Sequence, residues 1–333
     1  RAVDVDDAPR ERPECRAEVV LGLHAQQPRG GRVDAVQREE PRVVHVHDGR
    51  SAALLAAASV RSRPILVRTQ HFVATASSER TGWRRRASLR AHRIVNRRFR
   101  GYIAVSATAA AEALARHEVD ADELVVIPPG VDLPGEAVVA RARRSRDART
   151  DGVVVACVGR LESERCVDVL VRALPEVLAQ EPSTRVVIAG AGSELAVLQE
   201  LARDLEVDEC VHWAGWVHAP GEILSRADLY VNTLPREGFG MAMVEAMGYE
   251  LPVVAPAAGA SPEIILHGTT GLLVQPHDHH DLARSIVRLA RDRALRSELG
   301  SAGRQRALAE YGAPRAAQAT MAFYKQLESS VPQ

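Results

Sequence analysis

The sequence lacks several features that mark whole classes of protein. With 43 basic and 43 acidic side chains it carries no formal net charge, and so no overall field that would gather nucleic acid or an acidic membrane. Its four cysteines include no C-x-x-C pair, which favours a reduced protein over a disulfide framework. No apolar run approaches the roughly 18–20 residues that cross a bilayer, and no signal peptide is recognisable. We therefore predict a cytoplasmic protein.

Lysine is also nearly absent, since Lys325 is the only one in the chain. This bias is typical of GC-rich, bacterial-like codon usage, so an arginine at a lysine position needs no special explanation. The chain begins at Arg1 rather than at methionine, and we expect its true start to lie upstream. Residues 1–42 are densely charged and offer only one strand candidate, Glu18–Leu23. They lack the glycine-rich turn that should follow the first strand of a doubly wound domain.

Short β-branched runs alternate with amphipathic stretches of helical period, which is typical of parallel α/β layering. The length of 333 residues fits two domains, and an apolar share of 46% is enough for two cores. The polar stretch Gly135–Asp151 has no apolar period, and we interpret it as the linker, with one frayed helix at most. The predicted strands are Val43–His47, Ile65–Thr69, Tyr102–Val105, Leu124–Ile127, Val153–Val158, Arg185–Ala189, Cys210–Trp213, Leu229–Asn232, Pro252–Ala255 and Leu272–Val274. The fold class is thus α/β, with two Rossmann-like doubly wound domains facing a central cleft, where ligands bind at the C-terminal ends of the strands.

The strongest chemical signal lies at residues 236–247, R-E-G-F-G-M-A-M-V-E-A-M, directly after a predicted strand. Gly238 and Gly240 let the backbone approach a ligand, and the free N–H groups of the first helical turn favour anionic oxygens. Glu237 and Glu245 are eight residues apart, about 80° around a helix axis. We expect them to reach different parts of one ligand, Glu237 the hydroxyls of a sugar and Glu245 a ribose. On spacing alone, a surface turn before an ordinary helix explains the pattern equally well.

A second signal is the stretch from Gly159 to Arg165, which follows the strand Val153–Val158. Arg160 and Arg165 suit a diphosphate, because guanidinium groups bind phosphate oxygens in bidentate fashion. Such cations would stabilise the charge that grows on a departing diphosphate. Taken alone, this stretch is more often a solvated loop with salt bridges to its own glutamates.

Five motifs then resemble a known family in order and spacing. They are G-R-L-x-x-x-R-x-x-x-x-L at 159–170, V-V-I-A-G-A-G at 186–192, E-G-F-G-x-x-x-x-E-A-M at 237–247, P-V-V-A at 252–255 and P-E-I-I-x-x-G-x-x-G-L-L-V-x-P at 262–276. Together they resemble the donor domain of family 4 glycosyltransferases, which have the GT-B fold. A weaker resemblance to the acceptor-side domain runs from Val43 to Asp132. The last helix, Pro314–Leu327, resembles the family helix that crosses back to the first domain.

The resemblance implies a retaining hexosyltransferase that moves a sugar from a nucleotide diphosphate donor to a glycan, lipid or small-molecule acceptor, with no metal or other cofactor. It implies domains at 1–145 (acceptor side) and 146–313 (donor side), with the helix 314–330 packing on the first. Glu237 and Glu245 match the ends of the E-x7-E pair, Arg160 and Arg165 the diphosphate cations, and His71 the histidine that faces the donor sugar across the cleft. The further donor-binding positions are Gly159, Gly190, Val217, Gly238, Phe239 and Gly240.

The sequence departs from the family at three usual glycines, now Cys166, Glu250 and Ala260. Each adds a side chain beside a loop that normally approaches the donor, and would cost about 1 kcal/mol where φ is positive. The glycine loop expected before Val43 is missing, so the first sheet should lack a strand at its edge. We therefore expect donor binding to survive but acceptor-dependent transfer to be poor unless the chain is extended upstream. Two alternatives stay open, a catalytically impaired paralogue or fragment that binds nucleotide sugar and a GT-B-fold sugar-nucleotide epimerase, against which the E-x7-E helix argues.

Four other patterns are weaker. Gly190-Ala-Gly192 lacks the third glycine of a dinucleotide motif, His277–His280 reads as a helix cap rather than a metal cluster, and the D-x-D pairs at 4–6 and 120–122 are attributed to chance. Arg80–Arg100 holds nine arginines and no acid. It fits either a core-facing helix with an arginine-rich outer face or a helix lying on an anionic membrane, which would place the protein at the inner face. Nucleic acid is not a predicted partner, because no aromatic platforms lie among the arginines.

Overall fold

Two parallel β-sheets follow one another along the chain. A computed structural model describes residues 20–23, 41–47, 52, 64–71 and 94–330. The first sheet has the order β1-β2-β3-β4-β5, formed by β1 (Val20–Leu23), β2 (Val43–Val46), β3 (Ile65–Gln70), β4 (Gly101–Ala104) and β5 (Leu124–Val126). The second has the order β11-β10-β9-β6-β7-β8, formed by β6 (Val154–Val158), β7 (Arg185–Ala189), β8 (Val211–Gly215), β9 (Leu229–Val231), β10 (Val253–Pro256) and β11 (Gly271–Val274). The ten predicted strands are all present, and the fold class is confirmed.

The helices of the described residues connect these strands as parallel sheets require. They are α1 (Ala107–Ala115), α2 (Glu136–Asp147), α3 (Val167–Gln180), α4 (Leu195–Asp204), α5 (Gly221–Leu224), α6 (Met241–Gly248), α7 (Ser261–Ile264), α8 (His279–Arg291), α9 (Arg293–Glu310) and α10 (Ala313–Ser329). Within the described ranges, none of them is long and apolar enough to cross a membrane.

The strand order of the second sheet reverses at β6. From β6 the chain runs outward through β7 and β8, and then returns to place β9 on the other side of β6. The loops that leave β6 and β9 therefore turn away from each other and open a crevice at the C-terminal ends of these strands. The residues 159–166 and 232–240, which carry the two strongest sequence signals, are these loops.

The first sheet does not lack the strand predicted to be missing. The backbone of β1 pairs in parallel with β2, from Val20 opposite Val43 to Leu23 opposite Val46. The candidate Glu18–Leu23 is thus a strand, and the expectation of an uncovered edge at β2 is wrong. The predicted absence of a glycine-rich turn after β1 concerns residues 24–40, which lie outside the described part of the chain.

Two segments cross between the sheets side by side. The backbone of Val131 bridges to Gly312, with Val131 N donating to the Tyr311 carbonyl at 2.9 Å and Ala313 N donating to the Val131 carbonyl at 3.1 Å. Helix α10 then packs Phe323 and Tyr324 into a cluster with residues of the first domain, namely Val43, Val67, Ile103 and Ile127. The boundary predicted at residue 145 stays a prediction.

The stretch Gly135–Asp151 is more ordered than predicted. It contains the twelve-residue helix α2, where one frayed helix at most was predicted. Only Val139 and Ala142 of this helix are buried, which is too few for an apolar period to be visible in the sequence. Arg143 anchors the helix to the second domain through both side-chain oxygens of Glu250, at 2.6 and 2.8 Å.

The three departures from usual glycines differ in backbone conformation. Cys166 and Glu250 have positive φ, 52° and 59°, as expected for positions that favour glycine. Ala260 has φ −81°, so the predicted strain is absent there. Its neighbour Gly259 adopts the left-handed conformation instead, with φ 58°. Glu250 lies two residues beyond the end of helix α6 and pairs with Arg143, and it does not line the site described below.

The loop after β6 rests directly on the loop after β7. Gly190 has φ +154°, and a Cβ atom there would lie 1.7 Å from the Gly159 carbonyl oxygen. Gly159 N donates to the Ala189 carbonyl at 3.0 Å, and Leu161 N donates to the Ala191 carbonyl at 2.9 Å. Gly190 is therefore required because the segment that starts the Gly159–Arg165 loop occupies the space of a side chain.

We predict that Gly190→Ala destabilises the protein more than Gly215→Ala does. Gly215 also has positive φ, at 66°, but a Cβ atom there would meet nothing within 4 Å. Its substitution should cost only backbone strain, about 1 kcal/mol. Gly190→Ala must in addition displace the Gly159 loop. Urea unfolding monitored by circular dichroism measures both, and equal midpoints would contradict the account of this contact.

Candidate functional site

A cavity of about 980 Å³ opens where the ends of β6 and β9 face the first domain. His71, Val105 and Pro129 line it from the first domain, and Arg160, Arg165 and Glu237 line it from the second. Most of the predicted site residues share this wall, namely His71, Gly159, Arg160, Arg165, Glu237, Gly238, Phe239, Gly240 and Glu245. Gly190 and Val217 do not line it. Gly190 instead supports the Gly159 loop from behind.

Glu237 is the buried acid of the cavity, with 9% of its surface exposed. Burial raises the pKa of its carboxyl group above the usual range. The Arg165 guanidinium and the backbone N–H groups of Phe239 and Gly238 act in the opposite direction, and so does the nearby Asn232 side chain. The Glu237 Oε2 atom lies 3.6 Å from Arg165 Nη1, which is too long for a tight bidentate pair. Desolvation therefore outweighs attraction at this carboxylate.

The turn that carries Glu237 is fixed from behind by Gly259. A Cβ atom at Gly259 would lie 2.6 Å from the Glu237 nitrogen and 2.8 Å from its carbonyl oxygen. Ala260 N donates to that same oxygen at 2.9 Å. Gly240, in the left-handed conformation with φ 84°, then starts helix α6. Gly259 and Ala260, which lie just before the P-E-I-I motif, thus contribute the backbone that supports the Glu237 turn.

Helix α6 presents its first turn and one carboxylate to the cavity. No side chain in the described part of the chain caps its N-terminus at Gly240, so the N–H groups there are available to an anionic oxygen. Met243, Val244 and Met247 anchor the helix in the core. Glu245 lies between them on the cavity side, and its partial burial raises its pKa.

The two predicted arginines differ in how firmly they are held. Arg165 is anchored through its carbonyl, which accepts from Thr233 Oγ1 at 2.7 Å, and its Nε atom is buried without a partner among the described residues. Arg160 is exposed and pairs with Glu164 at 3.0 Å. Arg165 is thus a fixed cation in the wall, whereas Arg160 is a movable one at the rim. Cys166, with its left-handed backbone, links this loop to helix α3.

His71 follows strand β3 and is one of three clustered histidines. Its Nε2 atom lies 3.0 Å from Nδ1 of His47. The His47 ring lies 4.2 Å from the ring of His45, centroid to centroid. Sequence reasoning gave His47 no role. The signal was present, because His45 and His47 share one face of β2 by strand alternation, beside the strand that leads to His71.

The remaining predicted signals lie apart from this group or outside the described residues. Asp278 caps helix α8 by accepting from Asp281 N at 2.9 Å, and His280 pairs with Glu176 at 2.9 Å, which supports a helix cap rather than a metal cluster. Only His277 of that run lines the cavity. Asp120 and Asp122 lie in the short turn before β5, outside the wall. Residues 4–6 and most of Arg80–Arg100 fall in ranges that are not described. No group of three or more potential metal ligands occurs in the part that is described.

The two domains are joined at the cavity by Glu263. Its carboxylate accepts from the backbone N–H groups of Ala107 and Thr108, each at 2.7 Å, at the start of helix α1. A carboxylate at a helix N-terminus is favoured by the helix dipole. The Thr108 hydroxyl also donates to the Gly259 carbonyl at 3.1 Å, so the loop behind Glu237 contacts the first domain directly.

The sequence matches two family models, one in each half of the chain. The model described as glycosyl transferases group 1 matches residues 139–306, half of the chain, and the one described as glycosyltransferase family 4 matches residues 24–134. The chain belongs to the group 1 glycosyl transferases, and its first half matches the family 4 model.

Curated relatives agree with this family. The chain is 34% identical over 205 residues to a D-inositol 3-phosphate glycosyltransferase of Corynebacterium aurimucosum, covering 57% of this chain and 48% of the relative. It is 36% identical over 196 residues to a GDP-mannose-dependent alpha-(1-6)-phosphatidylinositol monomannoside mannosyltransferase of Mycolicibacterium smegmatis, covering 55% and 51%. The chain spans about half the length of these relatives.

Solved structures share the fold at low sequence identity. Anabaena HepE in complex with UDP has a TM-score of 0.77 and 21% identity, with 90% of this chain and 82% of that chain covered. Sucrose-phosphate synthase from Thermosynechococcus elongatus has a TM-score of 0.76 and 23% identity, with 90% and 76% covered. The predicted GT-B fold is confirmed.

We predict that Glu237→Gln raises the thermal stability of the ligand-free protein at neutral pH. A carboxyl group whose pKa is higher in the folded than in the unfolded chain makes folding less favourable as pH rises through that interval. Glutamine keeps the shape and removes the buried charge. The gain should shrink as pH is lowered towards the usual glutamate range, where wild-type Glu237 is protonated.

Differential scanning calorimetry across that pH range measures the effect. Glu200→Gln is the matched control, since Glu200 is an exposed carboxylate on helix α4. If the Glu237→Gln protein melted at a lower temperature than the wild type at neutral pH, the conclusion that desolvation outweighs attraction at Glu237 would be contradicted.

Proposed function

We propose that the chain is a retaining hexosyltransferase that transfers a sugar from a nucleotide diphosphate donor to an acceptor. The observation that carries this proposal is the meeting of Glu237, Arg165 and the uncapped start of helix α6 in one cavity at the strand-order reversal. An acid, a fixed cation and free N–H groups within one site match the three parts of such a donor, its sugar hydroxyls and the two ends of its diphosphate.

In this proposal the diphosphate lies between the Gly159–Arg165 loop and the start of helix α6. Arg165 is already held in the wall, and Arg160 can leave Glu164 to approach a phosphate oxygen. As the bond between the sugar and the diphosphate breaks, negative charge grows on the departing nucleoside diphosphate. Fixed guanidinium and N–H groups stabilise that charge without reorganising.

Glu237 is assigned to the hydroxyls of the reacting sugar and Glu245 to the ribose. The burial of Glu237 and its position beside Arg165 support the first assignment. The position of Glu245 as the fifth residue of helix α6, in the cavity wall, supports the second. His71 is assigned to the opposite side of the sugar, because it lines the cavity from the first domain. The base is assigned to the loops at 189–193 and 213–217, which include Gly190 and Val217.

The nucleotide and the acceptor are left as classes. One relative is named for GDP-mannose and one structural neighbour is a complex with UDP. Two relatives are named for inositol-containing acceptors. We therefore propose a nucleotide diphosphate sugar as donor and a hydroxyl-bearing acceptor. Peripheral contact of residues 80–100 with an anionic membrane belongs to the same proposal and would bring a lipid-linked acceptor to the cleft.

A screen of nucleotide sugars by thermal shift, followed by product analysis, tests this function. A true donor at about 100 times its Kd should stabilise the protein by about 2.7 kcal/mol. Transfer releases free nucleoside diphosphate and yields a glycosylated acceptor. An epimerase would convert the donor without that release, and an impaired paralogue would bind the donor without either change. Either result would overturn the proposal.

We predict that Arg165→Ala lowers kcat by about 10²–10³-fold, the usual loss when one preorganised electrostatic contact is removed. Arg160→Ala should have a smaller effect, because its side chain is exposed and mobile at the rim. Arg203→Ala is the control, since Arg203 is an exposed partner of Glu200 outside the cavity. Steady-state kinetics with and without EDTA measures these effects. If EDTA abolished the activity of the wild-type protein while the Arg165→Ala variant remained active, a mechanism in which fixed cations stabilise the leaving group would be contradicted.

We also predict that the two glutamates separate kinetically. Glu245→Gln should weaken binding of the nucleoside diphosphate itself, because its assigned partner is the ribose. Glu237→Gln should leave that binding nearly unchanged and lower kcat, because its assigned partner is the reacting sugar. Calorimetric titration with the nucleoside diphosphate, combined with steady-state kinetics, resolves the two effects. If Glu237→Gln instead weakened binding of the nucleoside diphosphate and Glu245→Gln lowered only kcat, the two assignments would be contradicted.

A further inference from the structure

A line of side-chain contacts leads from helix α10 to the cavity. The Tyr324 hydroxyl lies 2.6 Å from Nδ1 of His45, and Nε2 of His45 lies 2.6 Å from Oγ1 of Thr69. The His45 ring lies against the ring of His47, which is hydrogen-bonded to His71 at 3.0 Å. His71 is the only member of the line that is assigned to the donor, so the others act through it.

Strand alternation explains why these groups meet. His45 lies on β2 and His47 directly follows that strand. Thr69 lies on β3, the next strand of the sheet, and His71 directly follows it. Both pairs therefore project from the same face. Helix α10 covers that face, where Tyr324 packs beside strand residues of the first sheet. The last helix of the chain thus contacts the inner end of the histidine cluster.

The hydrogen bonds of His45 fix its protonation and its orientation. Burial, and then the neighbouring His47 and His71, lower the pKa of His45 to about 3, so the ring is neutral. Burial raises the pKa of Tyr324 to about 12, so the phenol keeps its proton. A neutral imidazole has one donor and one acceptor nitrogen. In either neutral tautomer the ring donates one of these two hydrogen bonds and accepts the other, so the ring plane is held at both ends.

The contact between His47 and His71 makes their orientations interdependent. Two imidazole nitrogens 3.0 Å apart form a hydrogen bond only when one carries the proton and the other accepts it. A rotation of either ring breaks this bond. Because His47 is packed against the fixed His45 ring, the bond transmits that orientation to His71 in the cavity wall.

We propose that Tyr324 is a positioning residue for His71, acting through His45 and His47. Helix α10 then supports the side of the cavity that the first domain forms, although the helix contributes no residue to the wall. The proposal rests on the proposed function to the extent that His71 is assigned to the donor sugar. Its effect is on the turnover of bound donor and not on the nucleotide, whose assigned contacts lie in the second domain.

Tyr324→Phe tests the proposal with Tyr102→Phe as the matched control. Both phenols are buried in the first domain, both have a pKa raised to about 12 by burial, and each makes a side-chain hydrogen bond. Tyr102 donates to Gln70 at 3.1 Å and is not part of the histidine line. Both variants should lose similar thermal stability. Only Tyr324→Phe should lower kcat, by about tenfold, with the KM of the nucleotide sugar unchanged. Equal losses of kcat in both variants, or none in Tyr324→Phe, would overturn the proposal.

Nitrogen NMR of the histidine rings in the full chain gives a readout that does not depend on activity. The wild-type protein should show His45 as a single neutral tautomer. Tyr324→Phe should change the ring signals of His45, His47 and His71, whereas Tyr102→Phe should leave them unchanged. Unaltered His71 signals in Tyr324→Phe would overturn the proposal. If the signals change but no nucleotide sugar is turned over by the wild-type protein, the positioning contact stands and the proposed function fails.

Discussion

The reversal of strand order at β6 is the constraint on which the whole site depends. Since β7 and β9 lie on opposite sides of β6, the loops that follow β6 and β9 diverge and cannot fill the space between them. Arg165 lies on one of these loops and Glu237 on the other. Neither side chain could reach the other if the strands were ordered sequentially, as they are in the first sheet. The position of the cavity is therefore a consequence of topology, and its chemistry a consequence of the residues on two loops.

Backbone packing then makes those loops rigid. Gly190 admits the Gly159 loop and Gly259 admits the Glu237 turn, each at distances that exclude a side chain. This rigidity matters because Glu237 is buried at a net electrostatic cost, which the Arg165 guanidinium, 3.6 Å from its carboxylate, does not cancel. A folded chain tolerates such a carboxylate when the surrounding structure leaves it no alternative position. Strained or unfavourable groups of this kind cluster at binding sites, where a ligand supplies the missing partners.

The sequence was most informative where local pattern and local structure coincide. The β-branched runs predicted the strands, because burial on both faces leaves few other residue types in a parallel sheet. The order and spacing of the motifs likewise predicted that Glu237, Arg165 and Glu245 share one site. Helix α2 was underestimated, since only Val139 and Ala142 are buried along it. Of the three replaced glycines, Ala260 does not have the positive φ that would cause strain, because the neighbouring Gly259 adopts the left-handed conformation.

The contacts that sequence could not supply are those between distant segments. Glu263 caps helix α1 more than 150 residues away, and the sequence gives no sign of that partner. The roles of His47 and Tyr324 likewise depend on helix α10 returning to the first sheet. Conversely, Gly190 was expected to contact the donor and instead supports the loop that does so in our proposal.

A crystal structure with a bound nucleoside diphosphate tests the central claim most directly. The account predicts the diphosphate between the Arg165 guanidinium and the first turn of helix α6, with the ribose hydroxyls at Glu245. A nucleotide bound elsewhere, for example in the groove between helices α3 and α4, with the cavity at Glu237 left empty, would contradict it.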